Sequence, residues 1–439
     1  MLSLAGVQII QVVIDFGLSA ALIQKLEVTE SQYHSSFNVI LSLSIIITIF
    51  VFIKASLLAA WLGNPQIASL LKYLALIIPL GSLAIIPRVI LARQLNFKKL
   101  TIAEIFSTIG YGGIAILLLF ILKNVYCMIF GYIGEQLILL ICLWLFSKWK
   151  PRFHFSWKAF REIIYFSGTV FSIRFVRLLN FNVFKVLINR FFGTATLGLY
   201  SLAFQIIDLP VQRIAKIMSK VMYPILSKLQ QNRQEYKQLF LNTSFILLIV
   251  ILPIYIVLFF ASESFMAVFY GAKWLAAVPY LKILCLSGIV ISLWTNLSLV
   301  AMSLGHPRLE FYLQISISGA LFSGVFVIKH FGMEAILIYF TCILSGLFMY
   351  GFYRIFNWLR ITPKEFISHF WKPVASNLIL ILVLYGIMQL EAFSFSKEYI
   401  PELIKVLTFS IIFYPIILLV LDKSRLISLL RTAMHPEHP

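Results

Sequence analysis

The sequence predicts an all-α polytopic membrane protein of about 13 transmembrane helices, in two pseudo-repeated six-helix lobes plus two C-terminal helices, the first lobe one helix short. Three observations predict it. Apolar runs of bilayer length recur along the whole chain, which is 61% hydrophobic and only 12% charged. In lipid a backbone must satisfy its own polar groups, so such runs are read as helices. Lysine and arginine collect in alternate short loops, the pattern of loops retained in the cytoplasm. Finally, stretches of the two halves match in colinear order. The net charge of +19 would suggest nucleic acid in a soluble chain. Its placement in alternate loops assigns it instead to topology and anionic membrane lipids, and no nucleic-acid partner is expected.

Taken in order, the spanning runs are 2–23, 36–62, 67–92, 101–122, 125–146, 163–190 and 195–221, then 239–261, 275–304, 311–328, 336–355, 366–390 and 403–421. The first run lacks a charged leader and carries Asp15, so it reads as a spanning helix and not a signal peptide. Loops 93–99, 148–161, 213–237, 354–364 and 423–431 are basic and are expected inside, with the C-terminus. Loops 63–66, 123–124, 262–274 and 391–402 form the opposite set, and the odd helix count places Met1 outside. The densest cationic stretch, 148–162, interleaves Lys148, Lys150, Arg152, Lys158 and Arg161 with Trp149, Phe153, Phe155 and Trp157. Such a segment suits the headgroup level and is read as a cytoplasmic hinge loop. The domains expected are an N-terminal lobe (1–147), the hinge (148–162), a C-terminal lobe (163–358), two extra helices (359–421) and a cytoplasmic tail (422–439). Cys127, Cys142, Cys285 and Cys342 lie in apolar runs without metal-ligand spacing and read as small buried hydrophobes, with no metal or cofactor expected.

The internal repeat is most continuous where 71–105 lies over 281–315 without a gap, pairing Leu71 with Leu281, Lys72 with Lys282, Ser82 with Ser292 and Ile105 with Ile315. Upstream the register shifts, and Lys25, Leu26, Tyr33 and Phe37 fall over Lys228, Leu229, Tyr236 and Phe240. Near the start, Gln8-Ile9-Ile10 matches Gln205-Ile206-Ile207. Duplication of this kind marks secondary transporters. Met1 then aligns near Leu199, so the first half is expected to lack a counterpart of run 163–190.

FGLSAALIQ (16–24), IPRVILARQLNFKKL (86–100), PRFHFSWKAFREIIYFSG (151–168), GTATLGLYSLAFQI (193–206), GAKWLAAVPYLKIL (271–284) and GHPRLEFYLQI (305–315) form an ordered set. Together they resemble the Wzx-type lipopolysaccharide and oligosaccharide flippases, in the superfamily that also holds the multidrug extruders. The resemblance implies two six-helix lobes with two further helices. It also implies translocation of undecaprenyl-pyrophosphate-linked oligosaccharide across the bacterial inner membrane, beside polysaccharide polymerase machinery. Two departures stand out: the family's first helix is lacking, and its frequent acidic residue in the seventh helix is here Phe184, beside Lys185.

An ionisable group inside a span is a functional candidate because leaving it in hydrocarbon is costly. Arg174, Arg177 and Lys185 share one face of run 163–190, and Arg88 follows Pro87 deep in its own span. These cations are the candidates for a pyrophosphate, Arg supplying forked donors and Lys a point charge. Asp15, Glu104, Glu135 and Asp208 are candidate counter-charges, or carriers of a coupling H⁺ or Na⁺. Asn180, Asn182 and Asn296 are candidates for sugar hydroxyls or for bonds between helices. Pro79, Pro87, Pro210, Pro253 and Pro415 are expected to interrupt helices. Catalytic motifs are absent, so a transporter and not an enzyme is expected. The competing readings are an ion-coupled exporter of small cations, which would want an acidic cavity, a glycan polymerase, which would want a large outer loop, and a truncated, non-functional member.

Overall fold

A computed structural model describes residues 14–61, 68–124, 126–389 and 399–434. Most of run 2–23 and loops 63–66 and 391–398 lie outside the described residues. The described residues are mostly helical, and ten of their helices are long and apolar enough to cross a membrane. In chain order they begin with α1 (Leu18–Gln24), α2 (Glu30–Trp61), α3 (Ala68–Ala75), α4 (Ile77–Leu83), α5 (Ile85–Arg93), α6 (Phe97–Leu122), α7 (Tyr126–Ser147) and α8 (Trp157–Pro210). A π-turn, Val211–Ala215, leads into α9 (Lys216–Lys228), followed by α10 (Arg233–Phe260), α11 (Ser262–Tyr270), α12 (Val278–Ser303) and α13 (Pro307–Ile328). The last three are α14 (Met333–Leu359), α15 (Pro363–Gln389) and α16 (Tyr399–Met434).

Two compact units are present. Unit 1 comprises Met1–Phe175, Tyr223–Lys228 and Ser303–Phe311. Unit 2 comprises Val176–Met222, Leu229–Met302 and Tyr312–Pro439, so the boundary falls inside α8. The core of unit 1 joins Leu18 and Leu22 of α1, Phe37 and Ile40 of α2 and Ile86 of α5 to Trp149, Phe160 and Ile163. That of unit 2 joins Phe184, Ile188, Tyr200, Ala203 and Ile207 to Ile251, Tyr255, Leu281 and Leu337. Large apolar side chains remain outside both cores: Leu117, Phe120 and Ile121 of α6 are 66%, 75% and 74% exposed. In water such surface would drive aggregation; in a bilayer it is the lipid-facing side.

The prolines act as the sequence predicts in one span and otherwise in another. α3 ends at Ala75 and α4 at Leu83, the residues four before Pro79 and Pro87. Each is the carbonyl that a proline ring displaces, and each proline falls in the first turn of the next short helix, where no amide is needed. By contrast, α10 runs unbroken through Pro253 and α16 through Pro415. At Pro253 the reason is visible: the freed carbonyl of Ile249 accepts the Tyr414 hydroxyl at 2.8 Å. A neighbouring side chain restores the bond that proline removes.

The repeat is written into the backbone. α2 opens with a capping box, Gln32 N to Thr29 Oγ1 at 3.4 Å and Thr29 N to Gln32 Oε1 at 3.2 Å. At the equivalent start of α10, Glu235 N donates to Asn232 Oδ1 at 3.3 Å and Asn232 Nδ2 to Glu235 Oε1 at 2.6 Å. Leu95 before α6 and Gly305 before α13 both hold positive φ, at 58° and 78°.

Two loops differ from expectation. Basic stretch 213–237, read as a loop, is the π-turn and α9 as far as Lys228. In the hinge, Phe153, Phe155 and Trp157 are exposed, but Trp149 is buried, stacked on His34 at 5.3 Å and edge-on to Phe37 at 5.4 Å. The hinge backbone is also tied to α2: Ser156 N donates to Ser35 Oγ at 3.0 Å, and Asn38 Nδ2 to the His154 carbonyl at 3.1 Å.

Candidate functional site: charged groups in the two units

In unit 1 the candidate charges begin at a helix break. Phe16 and Gly17 hold positive φ, 44° and 73°, and α1 restarts at Leu18. A Cβ on Gly17 would stand 2.4 Å from the Ser167 carbonyl and 3.2 Å from Phe171 N, so the glycine lets this break lie directly on the α8 backbone. Phe16 stacks on Phe171 at 4.6 Å beside it. Asp15, one residue earlier, accepts Ser19 N at 3.1 Å and Ser19 Oγ at 2.5 Å, satisfying an amide that the restarted helix leaves open. Its other oxygen meets Arg174 Nη1 of α8 at 2.5 Å. Asp15 is the more enclosed partner, its side chain 12% exposed against 37% for Arg174. The guanidinium is thus fixed by one corner and keeps a wetter edge.

Arg88 and Glu104 face each other at 3.7 Å between α5 and α6, both about two-fifths exposed, a looser pairing. Arg93 has a different task. Its Nη1 donates to the carbonyls of Leu22 at 2.6 Å and Ile23 at 3.2 Å, and to that of Lys25, while Nη2 reaches Leu26 O at 2.7 Å. One side chain therefore closes the C-terminus of α1, where the last carbonyls have no amide partners. Glu135 is half-buried on α7, one turn from Tyr132.

In unit 2 the chain reverses at Gly193, where φ is 82° and ψ 171°. Phe184 before the turn meets Tyr200 after it, edge to face at 5.4 Å. Phe184, where the resemblance leads one to expect an acid, is 4% exposed and belongs to the core. Lys185 is half-buried and Arg177 exposed on the first arm. Asp208 lies on the second arm, accepting Gln212 Nε2 at 2.9 Å, and Gln212 Oε1 in turn accepts Lys216 Nζ at 2.8 Å. Lys216 sits in the field of both Asp208 and Arg177. Asn296 bonds Ser244 Oγ at 2.6 Å between α12 and α10, 3% exposed. Asn182 bonds the Leu178 carbonyl of its own helix at 2.8 Å, and Asn180 is buried.

The structure therefore joins Asp15 to Arg174 and Glu104 to Arg88, and sets Asp208 in a row with two residues the sequence reading did not single out, Gln212 and Lys216. The i, i+4 spacing inside run 195–221 was the available signal.

The teichuronic acid biosynthesis protein TuaB of Bacillus subtilis is 27% identical over 399 residues, covering 88% of this chain and 81% of TuaB. The lipopolysaccharide biosynthesis protein WzxC of Escherichia coli is 23% identical, covering 68% of this chain and 61% of WzxC. The succinoglycan biosynthesis transport protein ExoT of Rhizobium meliloti is 26% identical, covering 65% and 58%. The chain thus matches about three-fifths of the length of the latter two. Among solved structures, the lipid II flippase MurJ in an inward closed conformation superposes over 97% of this chain and 92% of its own, with TM-score 0.66 and 15% identity. The Vibrio cholerae MATE transporter VcmN in its bent form gives TM-score 0.66 at 12% identity, covering 82% of this chain and 89% of its own. The fold is that of these polytopic transporters. Residues 2–279 match the polysaccharide biosynthesis protein family, and this membrane-spanning chain belongs to it.

Proposed function

We propose that the chain is a flippase that moves an undecaprenyl-pyrophosphate-linked oligosaccharide across the bacterial inner membrane by alternating access, its C-terminus in the cytoplasm. The observation that carries the reading is Arg174: a guanidinium on α8, held by Asp15 at 2.5 Å yet still 37% exposed. An arginine in that setting is oriented without being enclosed, and its forked donors match a phosphate edge. Arg177 and Lys185 of unit 2 and Arg88 of unit 1 are further candidate cations for a pyrophosphate, each within its own unit. The polyprenyl tail stays in lipid while the headgroup crosses. The fold and the relatives in polysaccharide biosynthesis support this choice of cargo. Asp15, Glu104, Glu135 and Asp208 are the candidate acids for a coupling H⁺ or Na⁺.

The test is binding by the full chain in lipid nanodiscs, with geranylgeranyl diphosphate compared against geranylgeraniol. Wild type should prefer the diphosphate by tenfold or more, and Arg174→Gln should lose most of that preference while Arg174→Lys keeps part. Equal affinity for diphosphate and alcohol in wild type would overturn the reading.

A further inference from the structure

The row Asp208, Gln212, Lys216 in unit 2 has a geometry that a regular helix would not give it. Residues four apart on an α-helix drift by about 40° per step. Here the wider π-turn Val211–Ala215 falls within the row and counters that drift, so the three side chains line up and bond in sequence. Single π-turns of this kind collect at functional sites. The turn is bought structurally by Pro210, which lacks an amide, and the nearby Ile207 carbonyl is satisfied by the buried Tyr255 hydroxyl at 2.7 Å. Gln212 and Lys216 are exposed, and Lys220, also exposed, continues the row. Leu209 and Ile217, 52% and 54% exposed, lie roughly 100° further round the helix and suit lipid. Exposed polar groups of this kind face water, headgroups or a ligand and not hydrocarbon, which would penalise them.

Depth follows from counting. Arg177 precedes Gly193 by 16 residues and Asp208 follows it by 15. At 1.5 Å per residue both are roughly 23 Å from the turn, level with each other on the two arms. The chemistry of the row is an acceptor (Asp208), a group that both donates and accepts (Gln212) and a donor (Lys216). Its own charge sums to zero. A ring of hydroxyls, each donor and acceptor at once, matches all three.

We propose that Asp208, Gln212 and Lys216 form a saccharide-binding subsite, with sugar hydroxyls donating to Asp208 and accepting from Gln212 and Lys216. The proposal rests on the flippase reading above and assigns the glycan part of the cargo to unit 2. The test uses full-length chain in nanodiscs and two kinds of probe: farnesyl diphosphate, and farnesyl diphosphate joined to one of a panel of single sugars (N-acetylglucosamine, glucose, galactose, glucuronate). Wild type should bind at least one sugar-bearing probe tenfold or more tighter than the sugar-free one. Gln212→Leu and Lys216→Met should each bring that ratio close to one while changing affinity for farnesyl diphosphate less than twofold. Both positions are exposed, so neither variant opens a cavity in the core. A ratio that survives in both variants, an equal loss for both probes, or a wild-type ratio of one across the panel overturns the subsite. Failure of wild type to bind farnesyl diphosphate at all is the separate result that removes the flippase reading beneath it.

Discussion

The helix before α2 and the helix before α10 occupy equivalent places in the repeat, and both depart from regular α geometry, in opposite ways. In unit 1 the departure is a left-handed pair, Phe16–Gly17, pressed onto α8, with Asp15 turned inward to Arg174. In unit 2 it is a π-turn after Pro210, with Asp208, Gln212 and Lys216 bonded to one another on an exposed face. One break is a packed joint whose charges are enclosed. The other is a widened turn whose polar groups remain available. The difference teaches that a charged residue in a span has to be read through its backbone: the same kind of acid is structural at a tight break and offered outward at a wide one.

The sharpest way to break this comparison is to substitute the residues that make each departure. Gly17→Ala adds a left-handed penalty of about 1–2 kcal/mol and overpacking of about 1–3 kcal/mol against the Ser167 carbonyl. The sum should appear as a marked loss of stability in reversible unfolding from mixed micelles. Pro210→Ala returns an amide to an already accommodated turn and should change stability by less than about 1 kcal/mol. Similar losses for both variants would mean that the two breaks carry the same load.

Next in size is the Asp15–Arg174 pair. Removing one partner of an enclosed ion pair leaves a charge uncompensated, at about 3–5 kcal/mol when burial is complete. Arg174 is more than a third exposed, so water screens it, and the expected loss for Asp15→Ala falls to roughly 1–3 kcal/mol. The double variant Asp15→Ala/Arg174→Met should recover part of it, since no lone charge remains. A double-mutant cycle reads this directly, and additive losses would show that the two groups do not sense each other. Asp208→Ala, whose partners are exposed, should cost much less in the same assay.

Ten of the spans were legible because hydropathy is a property of sequence alone. Thr29 and Asn232, at equivalent places in the repeat, each accept the amide three residues on, Gln32 N and Glu235 N. What could not be read was which proline breaks its helix. Pro253 is tolerated because Tyr414, 161 residues away, reaches the Ile249 carbonyl. Nothing local to Pro253 announces that donor. The same holds for Asp15 and Arg174, 159 residues apart. Gln212 and Lys216, inside run 195–221, were missed for another reason: the π-turn that lines them up with Asp208 leaves no mark in hydropathy or charge count.

The smallest expected effect concerns the surface end of unit 1. Lys25 Nζ donates to Glu162 Oε2 at 2.5 Å, joined by Gln32 Nε2 at 2.7 Å, just beyond the end of α1. The Lys25 hydrogen bond and charge hold the Glu162 carboxyl below its ordinary 4.5. The sign then follows from linkage. A carboxylate whose folded value is depressed adds stability that is complete above the ordinary value and disappears as pH falls through the folded one. Lys25→Met should therefore lower the unfolding temperature slightly near neutral pH, and the gap from wild type should close as the solution is acidified below the carboxylate range. Because both groups meet water, raising the salt at neutral pH should shrink the gap as well. A gap that persists at low pH would assign the effect of Lys25 to its methylene chain covering the end of α1, not to its charge, and would make this junction a packed joint like the break at Gly17.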